Sequence, residues 1–158
     1  NCLIMKNVTV FASLNLMHKA MLVGQIIFTA VMFFLVYKEE FSPVFAEHEK
    51  TIQIAALVFS AVAIFIGNTL FKKKLSLMND YTVTDAKTKL TQYRSASIIQ
   101  WALLEAGCLV NGICLLLTGN YAFLALIALL LLYFAMLIPV KNRIAAQLNL
   151  QTSDLDEL

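Results

Sequence analysis

The chain has 158 residues, of which 60% are apolar and only 14% charged, with a formal net charge of +2 and a mean hydropathy of +0.77. A soluble domain runs at about 45–50% apolar and about 25% charged, and one this small has no interior large enough to hide such a surplus. An ordinary water-soluble fold is thereby excluded, and the expectation is an all-α membrane protein.

Residues 1–10 read as an N-terminal extension. Met5, followed by Lys6, is a plausible start. No apolar h-region with a small-residue cleavage site precedes the first long apolar run, so the first helix is expected to be retained and to serve as its own targeting signal. A membrane-crossing helix needs about 20 apolar residues. Four stretches qualify, at about 11–37, 51–71, 95–118 and 121–140, and together they define a four-helix transmembrane domain over 11–140. Residues 141–158 follow as a cytoplasmic tail that starts basic and ends acidic at Asp154, Asp156 and Glu157.

The connectors differ. Residues 38–50 are short and acidic, with a turn signal at Ser42-Pro43. Residues 72–94 are longer and basic, and Thr84 or Asp85 could cap a short amphipathic helix leading into the third span. Gly119-Asn120 makes a tight turn. Ten basic residues (Lys6, Lys19, Lys72, Lys73, Lys74, Lys87, Lys89, Arg94, Lys141, Arg143) fall on one side and two (Lys38, Lys50) on the other. The positive-inside rule then gives two helical hairpins with both termini cytoplasmic. A shift of 82 residues aligns the first span with the third, pairing His18 with Gln100 and Thr29 with Asn111, as a duplicated hairpin would.

Within the spans, Glu105 stands out. A carboxylate at that depth costs about 2.5–3.5 kcal/mol, so it should face protein or a wet cavity. On a helical wheel Gln100, Asn111, Trp101 and Glu105 fall within about 140°. The first span carries His18, Gln25 and Thr29 on one stripe, His18 reading as a polar residue of the membrane edge. The second offers a small-residue seam, Ala56, Ser60, Ala63 and Gly67, that allows close helix contact, with Asn68 beyond it. Gln25, Asn68, Gln100, Trp101, Glu105 and Asn111 form the expected intramembrane polar cluster, with Glu105 hydrogen-bonding Gln25 or Gln100. The second span is expected at the centre of the bundle. The fourth, with no charge or amide, is expected at its periphery, and its Tyr133 reads as unremarkable.

Cys2, Cys108 and Cys114 have no metal-ligand spacing, and no nucleophile–base pair or phosphate loop occurs. The expectation is a chain without catalytic residues, metal or cofactor. Its basic loop answers the topology rule and has no densely interleaved aromatics, so no nucleic-acid partner is expected.

The run Ala102-Leu103-Leu104-Glu105-Ala106 resembles the ion-carrying helix of rotary ATP synthase c subunits, with Gln25 in the place of their partner-helix Gln. It covers one helix, and Gly24 alone stands where those subunits carry a glycine repeat, which argues against a rotor ring. Small multidrug transporters also have four spans and a membrane glutamate, but in the first helix and with shorter connectors. Taken with His18, Gly24-Gln25, Trp101-x3-Glu105, Leu117-Thr118-Gly119-Asn120 and the basic exit at Lys141, the layout resembles uncharacterised four-helix proteins of bacterial inner membranes. That resemblance implies a location but no activity. The leading expectation is a non-catalytic inner-membrane subunit, homo-oligomeric or accessory to a larger complex, contacting lipids and other membrane subunits. The alternatives are a proton- or cation-linked transport component using Glu105, and a lipid- or quinone-binding module.

Overall fold

The computed structural model describes residues 10–38, 43–79 and 85–151. Expectations placed on residues 1–9, Ser42, Thr84 and the acidic end of the tail lie outside them. The described residues are all-helical: α1 (Val10–Tyr37), α2 (Glu49–Met78), α3 (Ala86–Thr118), α4 (Ala122–Met136) and α5 (Lys141–Leu148), with a single 3-10 turn (Ala46–His48) before α2. Helices α1, α2 and α3 are long and apolar enough to cross a membrane. The count reaches four if α4 and α5, bent 71° from each other, form one broken span.

Local chemistry explains the boundaries. Asp85 caps α3 by accepting from the Thr88 backbone N–H at 3.0 Å and from its hydroxyl at 2.8 Å. The amphipathic lead-in therefore runs unbroken into the third span instead of forming a separate helix. At the other end, Gly119 takes the left-handed conformation (φ 67°) and donates to Leu115 O, ending α3. Asn120 Oδ1 then accepts from Ala122 N at 2.8 Å and starts α4. Pro139 has no N–H for the Ala135 carbonyl, and its ring disfavours helix at Ile138, so α4 stops after 15 residues. That is about 22 Å of helix, short of a hydrocarbon core of about 30 Å.

The centre of the molecule is α3. Helices α2, α4 and α1 pack around one half of it, while the other half, with Ile99, Ala102, Leu109 and Ile113, stays exposed. This corrects the expectation that the second span is central. The seam on α2 is buried, at Ala56, Ser60, Ala63 and Gly67, but α2 has one such face, whereas α3 buries 13 residues on a broad arc. The expected peripheral helix is also different. Although α4 has no amide or charge, Phe123, Ile127, Leu130 and Phe134 recur at spacings of four, three and four and are all buried. It is α1 that is most open, burying only Leu14, His18 and Gln25. The first hairpin is not a packed pair either, because α1 and α2 each make far more contact with α3 than with one another.

The start of the tail folds back. In α5, Ile144, Ala145 and Leu148 are buried and join one apolar cluster with Met78, Leu90 and Tyr93 at the basic end of the bundle. At the opposite end, Phe45 N donates to Leu117 O at 3.1 Å, tying the α1–α2 connection to the α3–α4 turn.

Candidate functional site

The polar residues that stand out in the sequence separate into two layers and two outliers. The layer farther from the basic end joins α2 to α3. Asn111, fully buried, donates from Nδ2 to Ser60 Oγ and to Gly107 O, both at 2.8 Å, and the Ser60 hydroxyl donates to Ala56 O. Small residues make this approach possible: a Cβ on Gly107 would lie 3.3 Å from Leu130 Cδ1 and 4.0 Å from Ser60 Oγ.

The second layer sits about three turns of α3 nearer the basic end. Gln100 Nε2 donates to Asn68 Oδ1 at 2.6 Å, and the Tyr133 hydroxyl donates to the same oxygen at 2.8 Å. One amide thus joins α2, α3 and α4. Gly67 stands directly against this layer: a Cβ there would lie 3.5, 3.6 and 3.7 Å from Gln100 Cγ, O and Cα, so any larger side chain would press on Gln100.

Trp101 belongs to a neighbouring aromatic group. His18 stacks on Phe134 with centroids 4.6 Å apart and meets Trp101 edge-on at 4.9 Å. Its Nε2 lies 3.0 Å from Phe134 O, in the last turn of α4. His18 is only 1% exposed, enclosed by these rings. Its ring adds a second hydrogen bond to the Phe134 carbonyl in the last turn of α4, which also accepts from Leu137 N at 3.0 Å. Arg143 serves the same helix end, donating from Nη1 to Met136 O at 3.2 Å.

The outliers are Gln25 and Glu105. Gln25 is buried, and neither of its amide atoms has a hydrogen-bond partner. Glu105 is half-buried at the margin between the packed and open faces of α3, and makes no hydrogen bond to the described residues. The expected Glu105–Gln25 or Glu105–Gln100 pair is therefore not formed. The Gln100 amide nitrogen donates to Asn68, and the Gln25 amide bonds to nothing among the described residues.

Asn68, Gln100 and Trp101 also line a cavity of about 180 Å³ at the α4–α5 bend. Its other polar walls are Tyr93, Ser97, Arg143 and Gln147, none of which the sequence reading picks out. Tyr93 and Ser97 share the helical face of Gln100: Ser97 lies within the 95–118 span, and a wheel extended before residue 95 also finds Tyr93. Arg143 and Gln147 depend on the fold-back of α5. Tyr133 escapes notice because a tyrosine in an apolar helix gives no sign of its partner. Among the described residues no three His, Cys, Asp or Glu side chains converge as metal ligands.

No protein-family model matches the chain, and neither a curated protein nor a solved structure is significantly similar to it.

Proposed function

We propose that the chain is a non-catalytic integral membrane subunit of a bacterial inner membrane, assembled as a homo-oligomer or as an accessory part of a larger complex. Four membrane passes, the last of them broken at Pro139, and cytoplasmic termini complete this reading. Its support is the collection of Lys72, Lys73, Lys74, Lys87, Lys89, Arg94, Lys141 and Arg143 at the end where α2, α3 and α5 meet.

The observation that carries the reading is Glu105. A carboxyl within a membrane span is costly unless paired, hydrogen-bonded or wet. This one has no hydrogen bond to the described residues and adjoins the exposed face of α3 that holds Ala102 and Leu109. The remaining polar groups are largely used to join helices, as at Asn111–Ser60 and Gln100–Asn68–Tyr133. A partner from outside the chain supplies what Glu105 lacks. The same unpaired carboxyl favours the second reading, a proton- or cation-linked transport component.

The two readings separate experimentally. Extraction in a mild detergent followed by size-exclusion chromatography with light scattering should give a homo-oligomer or a complex with another membrane protein. Glu105→Gln should retain it, since an amide can still hydrogen-bond across an interface. A monomer that carries proton or cation flux in proteoliposomes, abolished in Glu105→Gln, would overturn the subunit reading in favour of transport.

A further inference from the structure

The bend between α4 and α5 encloses a polar site that the helix-joining networks do not consume. Its walls come from α2 (Asn68), α3 (Tyr93, Ser97, Gln100) and α5 (Arg143, Gln147). Tyr93, Ser97 and Gln100 are each more than nine-tenths buried, at 5%, 3% and 6% exposure. These three side chains line a space of about 180 Å³ together with Asn68 and Gln147, which are half-buried, and Arg143, which is exposed.

The hydrogen bonds already made fix what the walls still offer. Asn68 Oδ1 accepts from both Gln100 and Tyr133, so its free function is the Nδ2 amide, a donor. Tyr93 donates to Gln147 Oε1 at 3.0 Å, which leaves the Gln147 amide nitrogen, another donor. Arg143 spends one N–H on Met136 O and keeps the rest of its guanidinium. Among the described residues no Asp or Glu lines the cavity. One full positive charge and two amide donors therefore face a space with no acidic wall among the described residues. The planar fork of an arginine suits a phosphate, whose oxygens accept several such bonds at once.

The surroundings favour a phosphate attached to a lipid. Ile138, which lines the cavity, is exposed, as are Leu129, Leu132 and Met136 on α4. Acyl chains laid against α4 would put their headgroup near its Met136 end, beside the bend. Lys72 and Lys73 are exposed at the same end and would draw anionic headgroups toward it.

We infer that the α4–α5 bend is a binding site for a phosphate group, held by Arg143 and the Asn68 amide and supplied by an anionic phospholipid. This goes beyond the subunit reading and stands or falls separately from it.

The test uses the full chain, delipidated in detergent, with native mass spectrometry and thermal unfolding as readouts. The probes are phosphatidylglycerol, phosphatidylcholine and inorganic phosphate. Phosphatidylglycerol should stay bound and raise the melting temperature, and phosphatidylcholine should do so less. Arg143→Gln should weaken phosphatidylglycerol binding about tenfold or more, the loss expected for a charged hydrogen bond. Because Arg143 also closes the end of α4, Asn68→Asp is the second variant. It keeps the oxygen that Gln100 and Tyr133 need and replaces the free donor with an acceptor that repels phosphate, so it should lose binding with the fold retained. Replacing Lys72, Lys73 and Lys74 together by Ala should leave the bound lipid in place. A phosphate-dependent rise in melting temperature that Asn68→Asp abolishes, without lipid retention, would keep the phosphate site and reassign its source to free phosphate. Wild-type binding in Asn68→Asp, or loss of binding only in the triple lysine variant, would overturn the proposal.

Discussion

The α2–α3 contact at Gly67 separates close packing from mere apolar adjacency. A Cβ at Gly67 would meet Gln100 Cγ at 3.5 Å, its carbonyl oxygen at 3.6 Å and its Cα at 3.7 Å, all ordinary van der Waals distances. Alanine therefore fits without movement. It also gains helix propensity over glycine, about 1 kcal/mol on the soluble-helix scale. For a chain of this size that corresponds to a rise of about 2–4 °C in melting temperature. Leucine adds three more carbons where Gln100 backbone already stands. Overpacking of this kind costs about 1–3 kcal/mol. Pushing the helices apart also strains the 2.6 Å Gln100–Asn68 bond, and an interhelical bond in a membrane protein is worth about 0.6 kcal/mol on average. The expected order is Gly67→Ala at or above the parent and Gly67→Leu well below it. Thermal unfolding in mild detergent, followed by far-ultraviolet circular dichroism, reads that order directly. If Gly67→Leu melts with the parent, or Gly67→Ala falls as far as Gly67→Leu, α2 and α3 are not in the close register described.

Gly112→Ala should behave oppositely to Gly67→Ala: its Cβ would stand 2.5 Å from Phe28 Cε1, so the ring must move and the melting temperature should drop. His18→Leu removes the hydrogen bond to Phe134 O and the imidazole stack, and should cost about 1 kcal/mol, measured by the same melt, with no loss if the ring is a passive filler. The Asp85 cap gives a pH signature. Its hydrogen bonds from Thr88 hold the carboxyl below its ordinary range, so its stabilisation is present above the unfolded-state value and fades as pH falls through the folded-state value. Melts of the parent should therefore decline on acidification more than those of Asp85→Ala, and identical profiles would show that the cap does not contribute. For sidedness, a cysteine at Ser42 should react with an impermeant thiol reagent added outside cells and one at Ser76 should be spared; the reverse pattern would invert the topology.

Much of this molecule is legible without coordinates. Apolar runs at 11–37, 51–71 and 95–118 specify three long helices because a helix satisfies its own backbone and needs only length and apolarity to suit a bilayer. The Ala56–Gly67 spacing marks the face α2 buries, since small residues four and three apart form a continuous groove. Gly119-Asn120 marks the turn through its own left-handed preference. Each of these is a local property of a few neighbouring residues.

Tertiary structure alone decided which helix is central and which polar groups meet. In a helix apolar on every side, hydropathy does not distinguish a face against protein from a face against lipid, so α4 reads as peripheral although Phe123, Ile127, Leu130 and Phe134 are buried. Partner choice among Gln25, Asn68, Gln100, Glu105 and Tyr133 depends on the rotation and depth of four separate helices. A displacement of a few ångströms exchanges one hydrogen-bond partner for another, and no spacing within a single helix records it. The cavity at the bend is the clearest case: Pro139 signals a break in the sequence, but only the packing of Ile144, Ala145 and Leu148 against the basic end brings Arg143 and Gln147 around to face Asn68 and Gln100.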